Sequence, residues 1–388
     1  MENKHFDTQA IRTQVERSTY NEHSVPLYLT SGFVFDTAED LRAAFAEETD
    51  AFVYSRYSNP NTSELIDKLC LLEGAEAGVT MASGMAAIYT TLAALLSAGD
   101  HLVACSSLFG ATHTVFSKYF PKWNIDCTYF DADQPQQIEQ IIQPNTKVIY
   151  VETPTNPAIH IIDLELLGQM AKKHGLILIV DNCFATPYLQ QPIKFGADLV
   201  IHSATKYMDG QGRVLGGVAV GRKDLIREIY LFGRITGPCL SPFNAWILSK
   251  SLETLALRME RHCSSALYLA EKLQHHPKLE FVNYPFLPSH PHYAIAKRQM
   301  KMGGGIISFS VKGGYEAGKT MLDALQMICI SPNLGDTRSI ATHPASSTHC
   351  KLSEEDRLAA GITPGMIRVS VGLEDKDDIL SDLIQALE

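Results

Sequence analysis

From about residue 62 the chain alternates two hydrophobic patterns. In TSELIDKLCLLEG (62–74) apolar residues recur at helical spacing, with Thr62 at the start and Gly74 at the end. MAAIYTTLAALLSAG (85–99) and DLELLGQMAKKHG (163–175) read the same way, the second capped by Asp163 and closed by Gly175. Between them stand short apolar runs: AGVTM (77–81), HLVAC (101–105), KVIYV (147–151), LILIV (176–180) and DLVI (198–201). Strands separated by helices of this length predict βαβ units and a mostly parallel sheet, hence an α/β fold.

The two ends of the chain differ from this middle. Residues 1–57 show no such alternation; VPLYLTSGFVF and AFVYSRYSNPNT are rich in aromatic and turn residues. They are expected to form an arm that packs on another subunit. Residues 243–276 contain neither proline nor glycine and carry a helical pattern throughout, which predicts one long helix bridging two domains. Beyond it, GIISFSV and MIRVSVG alternate as half-buried strands around a helical YEAGKTMLDALQ. The expected organisation is an arm at 1–57, a large domain at 58–250 and a smaller α+β domain at 251–388.

Composition narrows the class. With 388 residues, 45% of them hydrophobic and 20% charged, the chain can bury a large core. Its net charge of −10 argues against nucleic acid as the main partner. The eight cysteines are scattered without metal-like spacing, so buried thiols in a reducing compartment are expected and no metal site. The first residues lack an apolar signal region and no apolar run is long enough to cross a bilayer, which points to the cytoplasm.

In an open parallel sheet, ligands bind beyond the carboxyl ends of the strands, so the residues after each apolar run carry the chemistry. Ser83, Gly84 and Met85 follow the first run and open a helix, whose free N–H groups suit a phosphate. Asp181 ends another run, where a carboxylate can hold a proton on a ring nitrogen. After DLVI come Ser203 and Thr205, two hydroxyls two residues apart, and then Lys206. Desolvation at a strand end favours the neutral, nucleophilic amine. Taken singly, each has an ordinary explanation as a cap, a turn or a solvated lysine. Together, on successive strand ends, they match what pyridoxal 5′-phosphate requires. Cys183 is expected to be a small core residue, and His113 and His349 receive no role.

The run from Asp198 through Ser203-Ala204-Thr205-Lys206-Tyr207 to Gly210-Gln211-Gly212 resembles the cofactor-attachment signature of the Cys/Met metabolism family of pyridoxal-phosphate enzymes. That family includes cystathionine γ-synthase, the cystathionine lyases, methionine γ-lyase and the O-acylhomoserine sulfhydrylases. YSRYSNPNT, SGMAA, ETPTNP, VDNCFATP, LGDTRSIATHPASSTH and MIRVSVGLED match as well, so the resemblance spans about 8–380. It implies the aspartate aminotransferase fold (type I) and a homotetramer of dimers that share active sites. Lys206 would attach the cofactor and later carry protons. Asp181 would keep the pyridine nitrogen protonated, while Gly84, Met85, Ser203 and Thr205 would hold the phosphate. Tyr54 and Arg56 would reach the phosphate of a neighbouring subunit. Arg368 would take the substrate α-carboxylate, with Asn156 near it and near the ring oxygen. Asn333 stands where many relatives have serine, close to this carboxylate region.

One departure bears on the reaction. The family's ring-stacking tyrosine corresponds to Phe109 in SSLFGATHT. A phenyl ring still stacks but offers no phenol for acid–base work. That disfavours the lyases and fits a substrate with its own good leaving group. Ala111 stands where methionine γ-lyases have cysteine. SATKYMDGQGR and SPNLGDTRSIATHPASSTH look most like the O-succinylhomoserine sulfhydrylase branch. The resemblance therefore implies γ-replacement with sulfide, giving homocysteine for methionine biosynthesis. Transfer to cysteine, γ-elimination, a generic aminotransferase and a non-catalytic cofactor-binding protein are the alternatives. The sequence leaves open whether Tyr57 replaces the lost hydroxyl.

Overall fold

The computed structural model describes residues 1–351 and 353–388. Its larger sheet has seven strands: β1 Ala77–Met81, β2 His101–Cys105, β3 Asp126–Phe130, β4 Thr146–Glu152, β5 Ile177–Asp181, β6 Leu199–Ser203 and β7 Gly217–Gly221. Their order across the sheet is β1-β7-β6-β5-β4-β2-β3. The pairs from β3 to β6 are parallel, so the sheet is mostly parallel, as the alternating pattern predicts. Strands buried on both faces need no polar face, which is why these segments read as unbroken apolar runs. The helices Pro60–Glu73, Gly84–Leu95 and Leu164–His174 fall where helical spacing placed them, and Gly74 and Gly175 close two of them in the left-handed conformation.

β7 is an element that the pattern does not reveal. Its five residues, GVAVG, are bounded by glycines and have no helix between them and β6. It runs antiparallel to both β6 and β1. Two reversals restore direction, so β1 ends on the same rim as β4, β5 and β6. Gly217 is required here: a Cβ at this position would lie 2.0 Å from the Ser83 carbonyl oxygen.

A second sheet has five strands: β8 Leu279–Asn283, β9 Ile306–Val311, β10 Cys329–Ile330, β11 Ile340–Thr342 and β12 Met366–Ser370. Their order is β10-β11-β12-β9-β8, and only the β10–β11 pair among them is parallel. The single long helix expected over 243–276 is instead two, Pro242–Leu252 and Leu255–Leu273. At the break the Arg258 guanidinium takes the Ser251 carbonyl at 2.9 Å, a carbonyl that a continuous helix would use internally. Of the second helix, Leu255, Met259 and Cys263 join the core of the large sheet, while Leu269 and Leu273 join the core of the second.

Outside these sheets the first 57 residues form two short helices, Phe6–Arg12 and Ala38–Phe45, joined by extended chain. Among the described residues no helix is long and apolar enough to cross a membrane.

Candidate active site

The rim shared by β1, β4, β5 and β6 borders a cavity of about 240 Å³. Lys206 lines it, one turn beyond the end of β6, with its backbone N–H on the Ser203 carbonyl at 3.2 Å. The Lys206 Nζ donates to the Asn333 side-chain oxygen at 2.6 Å. Burial pushes this amine below its ordinary range; Cys183 pulls the other way, and the Arg368 charge adds to the lowering. The result is an amine biased toward its neutral form and oriented by a neutral acceptor.

Asp181 ends β5 on the same wall. Its Oδ1 accepts the Cys183 N–H at 3.1 Å, and its Oδ2 accepts the Tyr150 hydroxyl at 3.5 Å. Burial raises this carboxyl to about 6, against the opposing Cys183 N–H and His202. A cationic N–H within hydrogen-bond reach stabilises the charged form of such a buried acid.

The opposite wall is the N-terminus of the Gly84–Leu95 helix. Ser83 is its cap, and its hydroxyl accepts the Ala86 N–H at 3.1 Å. This side chain is therefore committed to the helix, and the N–H groups of the first turn face the cavity that Gly84 and Met85 line. Ser203 presses against this turn so closely that a Cβ on Gly84 would lie 2.6 Å from the Ser203 Cβ. Thr205 lines the same wall, its hydroxyl accepting the Gly216 N–H at 3.2 Å. Backbone N–H groups at a helix N-terminus with hydroxyls nearby are the kind of surroundings that suit an anion.

Arg368 enters from β12, only 1% exposed. Its Nη1 donates to Asn156 Oδ1 at 2.9 Å, and its Nη2 donates to the carbonyls of Asn333 at 2.9 Å and Pro332 at 3.2 Å. Its Nε is buried without a partner. All these partners are neutral, so burial depresses the guanidinium to about 10. A buried cation whose hydrogen-bond partners are all neutral keeps its charge uncompensated by a carboxylate partner.

A family model described as "Cys/Met metabolism PLP-dependent enzyme" matches residues 7–388. The chain belongs to this family. Among its relatives is an O-succinylhomoserine sulfhydrylase of Pseudomonas aeruginosa, 47% identical and covering 100% of this chain and 96% of its own. An L-methionine gamma-lyase of Fusobacterium nucleatum is 43% identical, covering 100% of this chain and 99% of its own. A solved Campylobacter jejuni structure, named a putative O-acetylhomoserine (thiol)-lyase and holding a pyridoxyl-lysine phosphate, superposes with a TM-score of 0.96 at 37% identity. It covers 99% of this chain and 100% of its own. This Cys/Met metabolism enzyme is thus a pyridoxal-phosphate enzyme of the type I fold, acting on small amino-acid substrates.

The cavity suits that cofactor on its own chemistry. It offers an amine at one point, a buried acid at another, and a helix N-terminus at Gly84 packed so tightly on Ser203 that no side chain fits there. Phe109 lines the cavity as well and is 41% exposed. Tyr54 and Arg56 do not line this cavity. Tyr54 is 42% exposed, and the Arg56 guanidinium lies 4.9 Å from the Tyr57 ring centroid and donates to the Arg234 carbonyl. Tyr57 is held by Arg234, 4.0 Å above its ring, and is likewise absent from the cavity wall.

Besides apolar lining such as Ile88 and Phe184, three cavity residues with polar or thiol side chains lie outside the site predicted from sequence. Glu152 ends β4 beside Asp181, and the strand-end rule that selects Asp181 applies to it equally. Cys183, expected in the core, is half-buried and lines the cavity, where burial and Asp181 push its thiol up. Thr348 arrives from a loop, with its hydroxyl 2.8 Å from the Nδ1 of His349, and no local pattern marks it.

Proposed function

We propose that this enzyme catalyses γ-replacement on an O-acylhomoserine, with the succinyl ester as substrate and hydrosulfide as acceptor, releasing homocysteine and succinate. The observation that carries this reading is Phe109 on the cavity wall. A phenyl ring there stacks without supplying a phenol, which suits a substrate whose γ-acyloxy group departs unaided as a carboxylate. The full-length similarity to O-succinylhomoserine sulfhydrylases of Pseudomonas aeruginosa and Mycobacterium tuberculosis supports the same choice.

Bound pyridoxal phosphate supplies the electron sink that makes the protons at the substrate Cα and Cβ labile. The chain supplies the rest. The helix N-terminus at Gly84 and Met85, with Ser203 and Thr205, holds the phosphate. Asp181 holds a proton on the ring nitrogen. Arg368, steadied by Asn156, takes the α-carboxylate as a bidentate pair and so fixes which substrate atoms meet Lys206. The Lys206 amine, once free, moves protons at Cα and Cβ. Asn333 keeps that amine oriented through an uncharged contact. Tyr54 and Arg56 reach the phosphate of a neighbouring copy in a homotetramer of dimers.

A second reading is γ-elimination to 2-oxobutyrate and ammonia, favoured by the methionine gamma-lyases among the relatives. One assay separates the two. Purified holoenzyme is given O-succinylhomoserine with sulfide or with cysteine, and homocysteine, cystathionine and 2-oxobutyrate are quantified together. Dominant homocysteine supports the proposal; dominant 2-oxobutyrate or cystathionine overturns it.

A further inference from the structure

Glu152 is buried on the cavity wall, and none of the steps above uses it. It is the register partner of Asp181, so two carboxyls end adjacent strands side by side. Burial and the Asp181 charge both push the Glu152 carboxyl well above the ordinary carboxylate range, while two backbone N–H donors and the Arg368 charge pull against them. A carboxyl in so unfavourable a place needs its hydrogen bonds met by fixed donors.

Those donors identify its task. The Phe109 N–H donates to Glu152 Oε2 at 2.9 Å. Asn156, four residues further on, lines the same cavity, and its backbone N–H helps to pull the Glu152 carboxyl down. Phe109 stands at the start of the Gly110–Thr114 helix and makes no side-chain cap there, and its backbone bond to Glu152 ties the ring-bearing residue to the end of β4. Asn156 receives Arg368 Nη1 at 2.9 Å. One side chain therefore bonds the backbone of the stacking residue and interacts electrostatically with the backbone of the residue that steadies the arginine.

We infer that Glu152 is a positioning residue that ties the Phe109 ring to the Asn156–Arg368 clamp, setting cofactor stacking and substrate carboxylate binding in register. The inference deepens the proposed reading of this site and rests on the roles given there to Phe109 and Arg368. Glu152 acts through its neighbours' backbones, so its loss should be felt at both ends of the site at once. A proton-transfer role would instead appear in turnover alone.

The test uses Glu152→Gln, which keeps size and one acceptor oxygen, and Glu152→Asp, which keeps the charge but withdraws it by one methylene. Cofactor affinity is read by fluorescence titration of the apoprotein with pyridoxal phosphate. The environment of the bound ring is read by visible circular dichroism, and KM and kcat are measured with O-succinylhomoserine and sulfide. The expected result is a roughly tenfold weaker cofactor affinity, an altered dichroism band and a roughly tenfold higher substrate KM, with kcat changed less. Unchanged affinity and dichroism in both variants would overturn the inference, as would a fall in kcat alone. Should Glu152→Gln fail to fold, Glu152→Asp gives the same three readings. The cofactor titration and the dichroism do not depend on which acyl ester is the substrate, so they decide the inference even if the proposed substrate is wrong.

Discussion

The Lys206 amine donates to the Asn333 side-chain oxygen at 2.6 Å, so the one lysine on the cavity wall is held by an uncharged partner. A carboxylate in that place would favour the ammonium form. Asn333→Asp should therefore raise the pH midpoint of Lys206 reactivity toward an amine-directed reagent in the apoprotein by roughly one unit or more. An unchanged midpoint would show that this contact does not govern the amine.

Removing the amine tests attachment directly. Lys206→Ala is expected to bind pyridoxal phosphate reversibly and to gain no mass after borohydride treatment. Its turnover should fall by about three orders of magnitude or more. Near-normal turnover in this variant would refute the assignment of Lys206.

Arg368 has neutral hydrogen-bond partners, and the proposal assigns its charge to the substrate carboxylate. Arg368→Lys loses the planar fork while keeping a cation. The substrate KM should rise roughly ten- to a hundredfold with a smaller fall in kcat, measured by steady-state kinetics. A variant with an ordinary KM would place the carboxylate elsewhere.

Phe109→Tyr restores the phenol that this chain lacks. The expected outcome is a several-fold larger share of 2-oxobutyrate among the products, because a hydroxyl near the leaving group assists departures that otherwise stall. If the product ratio does not move, Phe109 does not set the balance between replacement and elimination.

Three buried histidines make stability fall in acid. His262, His290 and His349 are each held near 4 by burial, against about 6.5 for a free side chain. Between those values the unfolded chain binds protons that the folded chain refuses at these three sites, so their contribution to folding weakens as pH drops from about 6.5 to 4 and levels off below, opposed in part by Asp181, whose raised carboxyl takes up its proton more readily in the folded chain. Each histidine contributes a slope of about 1.4 kcal/mol per pH unit within that window. Urea midpoints across the window should show the slope, and His349→Gln should make it shallower.

Much of the site is legible in the sequence because strand-end chemistry is local. Lys206, Asp181 and Gly84 each follow an apolar run closely, and a parallel sheet brings such ends to one rim. Glu152 obeys the same rule, but without its tertiary partners nothing distinguishes it from a solvated glutamate. Thr348 is beyond the reach of this rule, since it comes from a loop far along the chain.

The alternation of strands and helices, the mostly parallel sense of the large sheet and the residues at its carboxyl rim are all readable from the amino-acid order. These follow from periodicity, caps and burial over a few residues. Tertiary packing settles that β7, GVAVG, lies antiparallel between β6 and β1 and so returns β1 to that rim, and that the 243–276 pattern divides at Glu253, where Arg258 takes the Ser251 carbonyl. It also decided that Arg368 meets Asn156 across 212 positions of chain. Such contacts depend on which surfaces meet when the chain closes, and no local pattern encodes them.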